Sequence, residues 1–103
     1  MANMIRFQRS LRSAVGKGRE ATAWAQEVTA YLNGKFAETK LQVFAQRFGD
    51  VSTIAWQADF DTLASLDHYQ QAVNADKGYW ALVDKADGFF VEGSIHDTVF
   101  EAL

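Results

Sequence analysis

Apolar side chains fall at alternate positions at the start of the chain: Ile5, Phe7 and Leu11, with Arg9 standing inside the stripe. That period of two predicts a half-buried strand over residues 4–14. Gly16-Lys17-Gly18 marks a turn. The period then changes. Ala21, Trp24, Ala25, Val28, Tyr31 and Leu32 recur at helical spacing and predict a helix over 19–33, with Asn33-Gly34 expected to end it. Alternation returns over 40–48, where Leu41, Val43 and Ala45 oppose Gln42, Phe44, Gln46 and Phe48. Gly49-Asp50 is a tight turn, and 51–60 reads as a third strand with Ile54, Trp56, Ala58 and Phe60 on one side. So short a connection makes the pair an antiparallel hairpin.

Asp61 is the expected N-cap of a second helix, whose buried stripe is Leu63, Leu66, Tyr69, Gln70 and Val73. Asn74-Ala75-Asp76 breaks that pattern, and Asp76 is placed to cap a third helix over 77–85, anchored by Trp80, Val83 and Tyr79. Gly88 closes it, Phe89-Phe90-Val91 is extended, and Gly93 allows a kink. Residues 94–102 form the last strand, with Ile95 and Val99 on one face and His96, Thr98 and Phe100 on the other.

The order β-α-β-β-α-β, with the second helical region in two pieces, predicts a single α+β domain over residues 1–103. Its fold class is ferredoxin-like: an antiparallel sheet with helices on one face. The strands carry bulky groups on both faces, so a homodimer is expected to bury the open one.

Aromatic residues make up 14% of the chain, which calls for an aromatic-rich core or a partner over some of that surface. The net charge is −3 and counts against nucleic acid as a partner. Arg6, Arg9, Arg12, Lys17 and Arg19 bias the N-terminal segment toward basic, but on a strand they alternate between faces and read as solvated charges. There are no cysteines, which excludes disulfides and thiol chemistry and fits a cytoplasmic protein. No apolar run reaches the ~20 residues of a membrane span, and the polar N-terminus does not suit a signal peptide.

Three short motifs carry a family resemblance. They are the Gly16-Lys17 turn before a helix containing Trp24, the strand Ile54-Ala55-Trp56 leading through Asp59, Phe60 and Asp61 into the second helix, and Ala75-Asp76-Lys77-Gly78-Tyr79-Trp80 ahead of the third. In these the chain resembles the dimeric α/β-barrel superfamily, which includes antibiotic-biosynthesis monooxygenases and NIPSNAP-like proteins. The resemblance implies two ferredoxin-like subunits joined sheet to sheet into a barrel, with a pocket in each between sheet and helices. The haem-degrading members use a strand asparagine, a helix tryptophan and a later helix histidine. Here Arg9 or Leu11 falls where the asparagine would stand, and residues 77–85 contain no histidine. No cofactor is implied.

The candidate ligand-binding residues are Arg9, Trp24, Arg47, Trp56, Trp80 and His96. A guanidinium at the edge of an apolar pocket can hold a carboxylate, phenolate or enolate. The plainer reading lays the stem of Arg9 along the sheet with its head in solvent or on a carboxylate. Arg47 ends the Leu41-Val43-Ala45 face and reads both ways for the same reasons. Trp24, Trp56 and Trp80 come from three elements and either wall an aromatic cavity or pack a core. His96 is a general base if its face lines the pocket, and a structural or interface histidine if not. Its neighbour Asp97 points to the opposite face, so the two are not a catalytic pair. His68 and His96 share no metal-ligand spacing. Gly16-Lys17-Gly18-Arg19 before a helix offers an anion site or a plain turn.

No catalytic signature is present. The leading expectation is a protein that binds a small apolar or aromatic molecule. The alternatives are a cofactor-independent monooxygenase on a phenolic or polyketide-like substrate, and a structural or regulatory oligomer. Few acids lie near Arg9 in sequence, so the expected ligand is an aromatic acid held by its charge.

Overall fold

Unbroken alternation over eight residues builds β1 (Ile5–Arg12) in the computed structural model, which describes residues 4–103. β1 lies inside the sheet. β3 (Thr53–Phe60) pairs antiparallel along one edge and β4 (His96–Glu101) along the other, while β2 (Gln42–Ala45) adds to β3 as an antiparallel hairpin. The order is β2-β3-β1-β4. With α1 (Gly18–Lys35), α2 (Leu63–Asn74) and α3 (Lys77–Lys85) this is an α+β, ferredoxin-like fold. The sheet stays open within one chain and does not close into a barrel.

Ile5 and Phe7 of β1 and Ile54, Trp56, Ala58 and Phe60 of β3 are buried against Ala21, Trp24, Ala25, Val28 and Leu32 of α1 and against Leu66 and Val73 of α2. Trp24 and Trp56 meet edge to face at 6.2 Å between ring centroids, and Phe90 closes on Trp24 at 5.5 Å. Each buried indole keeps its N–H satisfied. Trp24 Nε1 donates to the Leu82 carbonyl at 2.6 Å, and Trp56 Nε1 donates to Thr29 Oγ1 at 3.0 Å. Burying indoles with their polar edge paired gains the apolar area without leaving a donor stranded.

Several boundaries differ from the pattern-based expectation. α1 runs through Asn33 and Gly34 to Lys35. The Asn33 side chain does not end the helix but pins the chain entering β2, donating to the Leu41 carbonyl at 2.9 Å and accepting from the Leu41 N–H at 2.8 Å. β2 is only four residues long because the chain folds away after Ala45, with Gly49 at φ 84°. Thr62, not Asp61, caps α2, its hydroxyl accepting from the Ser65 N–H at 3.0 Å. Leu63, expected in the buried stripe, is exposed at the first position of α2.

The face away from the helices is more polar than expected. It carries Arg6 paired to Asp59 at 2.8 Å and Gln57 donating to Gln8 at 2.8 Å, together with Ser10, Thr98 and His96. Its large apolar groups are Phe44 and Phe100, both exposed. The N-terminal basic bias also disappears. Arg6, Arg9 and Arg12 pair with Asp59, Asp97 and Asp50, and Lys17 lies 3.6 Å from Glu20. Exposed pairs of this kind stabilise by only about 0–1 kcal/mol each, but together they cancel the local charge.

Trp56 sits where sheet, α1 and Phe90 meet. Replacing it with alanine is expected to cost about 3–5 kcal/mol in a urea melt. A loss within about 0.5 kcal/mol, as at a surface position, would show that this aromatic junction does not hold the layers together.

Candidate functional site

The layers do not close completely. Between the helix-facing side of the sheet and the helices lies a cavity of about 420 Å³. β1 contributes Phe7, Arg9 and Leu11 to its wall, α1 contributes Trp24 and Val28, and β3 contributes Trp56. α2 supplies Tyr69 and Val73, α3 supplies Tyr79, Trp80 and Val83, and the strand-entry segment supplies Ile95 and Asp97. The three tryptophans thus do meet around one space. Trp24 and Trp56 form its inner wall, whereas Trp80 is 46% exposed and Ile95 53%, so both stand at the rim.

The rim helix is held by one carboxylate. Asp76 caps α3, accepting from the Tyr79 N–H at 2.9 Å. It also accepts from the Tyr31 hydroxyl at 2.6 Å and pairs with Lys35 Nζ at 2.8 Å, both on α1. The Lys35 hydrogen bond, followed by that from Tyr31, lowers the Asp76 pKa from 3.8 to about 2. Gly78 is required beside it, because a Cβ there would collide with the Tyr31 hydroxyl. The indole N–H of Trp80 donates to the Asn74 carbonyl at 2.8 Å, which fixes the rim ring.

Arg9 enters the cavity, as its place in the stripe implies, but it is not unpaired. Antiparallel pairing of β1 with β4 sets Arg9 opposite Asp97. The guanidinium donates through Nε to Oδ1 at 2.7 Å and through Nη2 to Oδ2 at 2.8 Å. This bidentate fork raises the Arg9 pKa further; burial opposes the rise, and the Tyr79 side chain adds to it. The carboxylate that the plainer reading of Arg9 allows is Asp97. The partner is 88 residues away in sequence and is brought in by the sheet.

Arg47 and His96 do not reach the cavity. Arg47 lies beyond the end of β2, exposed, because the strand stops at Ala45. His96 pairs in register with Ser10 on the opposite face, since Asp97 next to it takes the cavity side. The wall also holds the polar side chains of Asp97, Tyr69, Gln70, Asn74 and Tyr79. Asp97 could have been found by continuing the Ile95–Val99 alternation through it. Tyr69 reads as packing, and its ring does pack at 5.5 Å from Phe60 and 6.0 Å from Phe36. Its hydroxyl, however, is buried without a hydrogen-bond partner, and burial pushes its pKa up to about 12, so it stays protonated. Among the described residues no three His, Asp or Glu side chains gather to hold a metal ion, and no helix is long and apolar enough to cross a membrane.

The architecture is shared with solved structures. A NIPSNAP family protein from Agrobacterium tumefaciens superposes with a TM-score of 0.78 at 17% identity, over 100% of this chain and 89% of that one. An uncharacterised NIPSNAP-like domain protein from Burkholderia xenovorans gives 0.80 at 13% identity, over 97% and 85%. An antibiotic biosynthesis monooxygenase-like protein from Nitrosomonas europaea gives 0.72 at 8% identity, over 100% and 93%. At these identities the likeness is one of fold. No protein-family model and no curated protein matches the chain.

The Asp76 node makes stability depend on acid. A carboxyl whose folded-state pKa is lowered contributes stability above its unfolded value and loses it as pH falls through the folded one. Thermal melts should therefore separate wild type from Asp76→Asn most at neutral pH, and the gap should narrow between pH 4 and about 2. A gap that stays constant across that window would show that the charge of Asp76 does not hold α3.

Proposed function

We propose that the protein binds a small, largely apolar aromatic molecule in the cavity between sheet and helices. One observation carries this reading: about 420 Å³ of space remains beneath α3, walled by Trp24 and Trp56, rimmed by Trp80 and furnished with the polar fork Arg9–Asp97. Ligand pockets are mostly apolar, with a few placed polar groups, and run from about 300 to 1,000 Å³. Titrating naphthalene against intrinsic tryptophan fluorescence should give saturable quenching. Val83→Trp, which fills the space from α3, should weaken that binding by about tenfold or more. Absence of saturable quenching in the wild type, or the same affinity in both proteins, would overturn the reading.

The Nitrosomonas europaea neighbour favours a second reading, cofactor-independent oxygenation of a phenolic substrate, by fold analogy alone. Oxygen uptake on adding a phenol would support it, and unchanged oxygen uptake would exclude it for that substrate.

We also infer a homodimer in which a second copy covers the open sheet face. Phe44 and Phe100 are exposed there, and Val99 is exposed on the other side of β4. Such an interface should bury more than ~1,000 Å² in total. Light scattering should return twice the chain mass for the wild type and a shift toward one chain for Phe100→Asp. A single-chain mass for the wild type at micromolar concentration would sink the dimer.

A further inference from the structure

The polar end of the cavity holds a charge that is already balanced. Arg9 and Asp97 both line it, and their two parallel hydrogen bonds of 2.7 and 2.8 Å bring opposite charges into direct contact. The pair presents no net charge to an occupant. An aromatic carboxylate entering here would give up water at a pair whose side chains are 33% and 41% exposed, would find no free cation, and could recruit Arg9 only by breaking the fork and leaving Asp97 unpaired. An uncharged oxygen acceptor meets no such penalty. A guanidinium has five N–H donors, and Asp97 takes two of them. The Tyr79 side chain also bonds the guanidinium, and an N–H left over can donate to a carbonyl without disturbing the pair. Of the other polar side chains of the wall, Gln70 and Asn74 are uncharged amides, and the buried Tyr69 hydroxyl stays protonated.

We propose that Asp97 is a specificity-determining residue that makes this cavity select uncharged aromatic carbonyl compounds over aromatic acids, with Arg9 as the donor to the carbonyl oxygen. The proposal rests on the cavity being a binding site. It reverses the ligand charge expected from Arg9 alone.

Three probes with one ring system test it at pH 7.5: naphthalene, 2-acetonaphthone and 2-naphthoate, titrated against wild type, Asp97→Asn and Arg9→Gln, each with a thermal melt to confirm folding. In the wild type 2-acetonaphthone should bind most tightly, several-fold better than naphthalene, as one hydrogen bond to a charged donor provides. It should also bind about tenfold or more better than 2-naphthoate. Asp97→Asn keeps the shape but frees the Arg9 charge, so 2-naphthoate should gain about tenfold and overtake the ketone. Arg9→Gln should remove the ketone's advantage over naphthalene, the two compared within that variant. Binding of naphthalene together with equal or tighter binding of 2-naphthoate by the wild type would overturn the proposal and leave the binding site standing. So would an unchanged acid-to-ketone ratio in Asp97→Asn. Failure of all three probes to bind the wild type would overturn both.

Discussion

Asp76 is the tie on which the shape of the cavity depends. α3 is nine residues long and buries no side chain completely, so packing alone does not dock it. A helix that short is marginal by itself. It is held by its flank instead. The Asp76 carboxylate caps its first turn and receives Tyr31 and Lys35 from α1, and the Leu82 carbonyl in its last turns accepts from the Trp24 indole. Lys85 of α3 also pairs with Glu27 of α1 at 3.1 Å, so directional contacts tie α3 at three points. They suspend α3 over the sheet rather than pressing it down, and the space left beneath is the cavity. Gly78 belongs to the same device, because only a residue without Cβ lets the Tyr31 hydroxyl pass α3 to reach the carboxylate.

The second constraint is the position of β1 inside the sheet. From Ile5 to Ser10 each of its residues has a cross-strand neighbour on both sides, so an arginine in its apolar stripe stands between two strands. Arg9 meets Trp56 on β3 and Asp97 on β4. Its aliphatic stem and guanidinium lie near Phe7, 5.6 Å from ring centroid to Cζ, and its head is satisfied by the aspartate. A structural ion pair and a ligand-facing polar group are therefore the same atoms. That is why the charge state of the site follows from sheet register rather than from any local motif.

What was legible from sequence divides along the same physical line. The periods of two and of helical spacing are local properties, so the strands, helices, hairpin and Asp76 cap could be read directly. The convergence of Trp24, Trp56 and Trp80 followed from placing those elements in a ferredoxin-like order. Arg9–Asp97 was hidden because it spans nearly the whole chain and depends on which residues of β1 and β4 stand opposite each other. His96 was placed on its correct strand, but alternation puts its neighbour, not His96, in the cavity. Arg47 failed for a different reason. β2 is an edge strand that stops after four residues, and a stripe extrapolated past its last rung no longer predicts a face. Asn33 and Gly34 looked like a helix stop because side-chain capping and a strand-pinning amide use the same residue type, and only the distant Leu41 backbone distinguishes them.

These constraints also account for how the polar groups are distributed over the two faces of the sheet. On the open face each charge or amide of β1 has a cross-strand partner, Arg6 with Asp59 and Gln8 with Gln57, so that face can be solvated or covered without stranding a donor. On the cavity face the charged pair Arg9–Asp97 stands half-exposed at the polar end of the cavity, its opposite charges in direct contact. The buried Tyr69 hydroxyl is the exception: a donor in an apolar wall with no acceptor in reach. Such a group costs about 1–3 kcal/mol relative to a bonded one, and phenylalanine would fill the same space without that cost. The interior thus carries uncommitted hydrogen-bonding capacity beside an otherwise closed electrostatic balance, the arrangement expected of a chamber that receives an uncharged, oxygen-bearing guest.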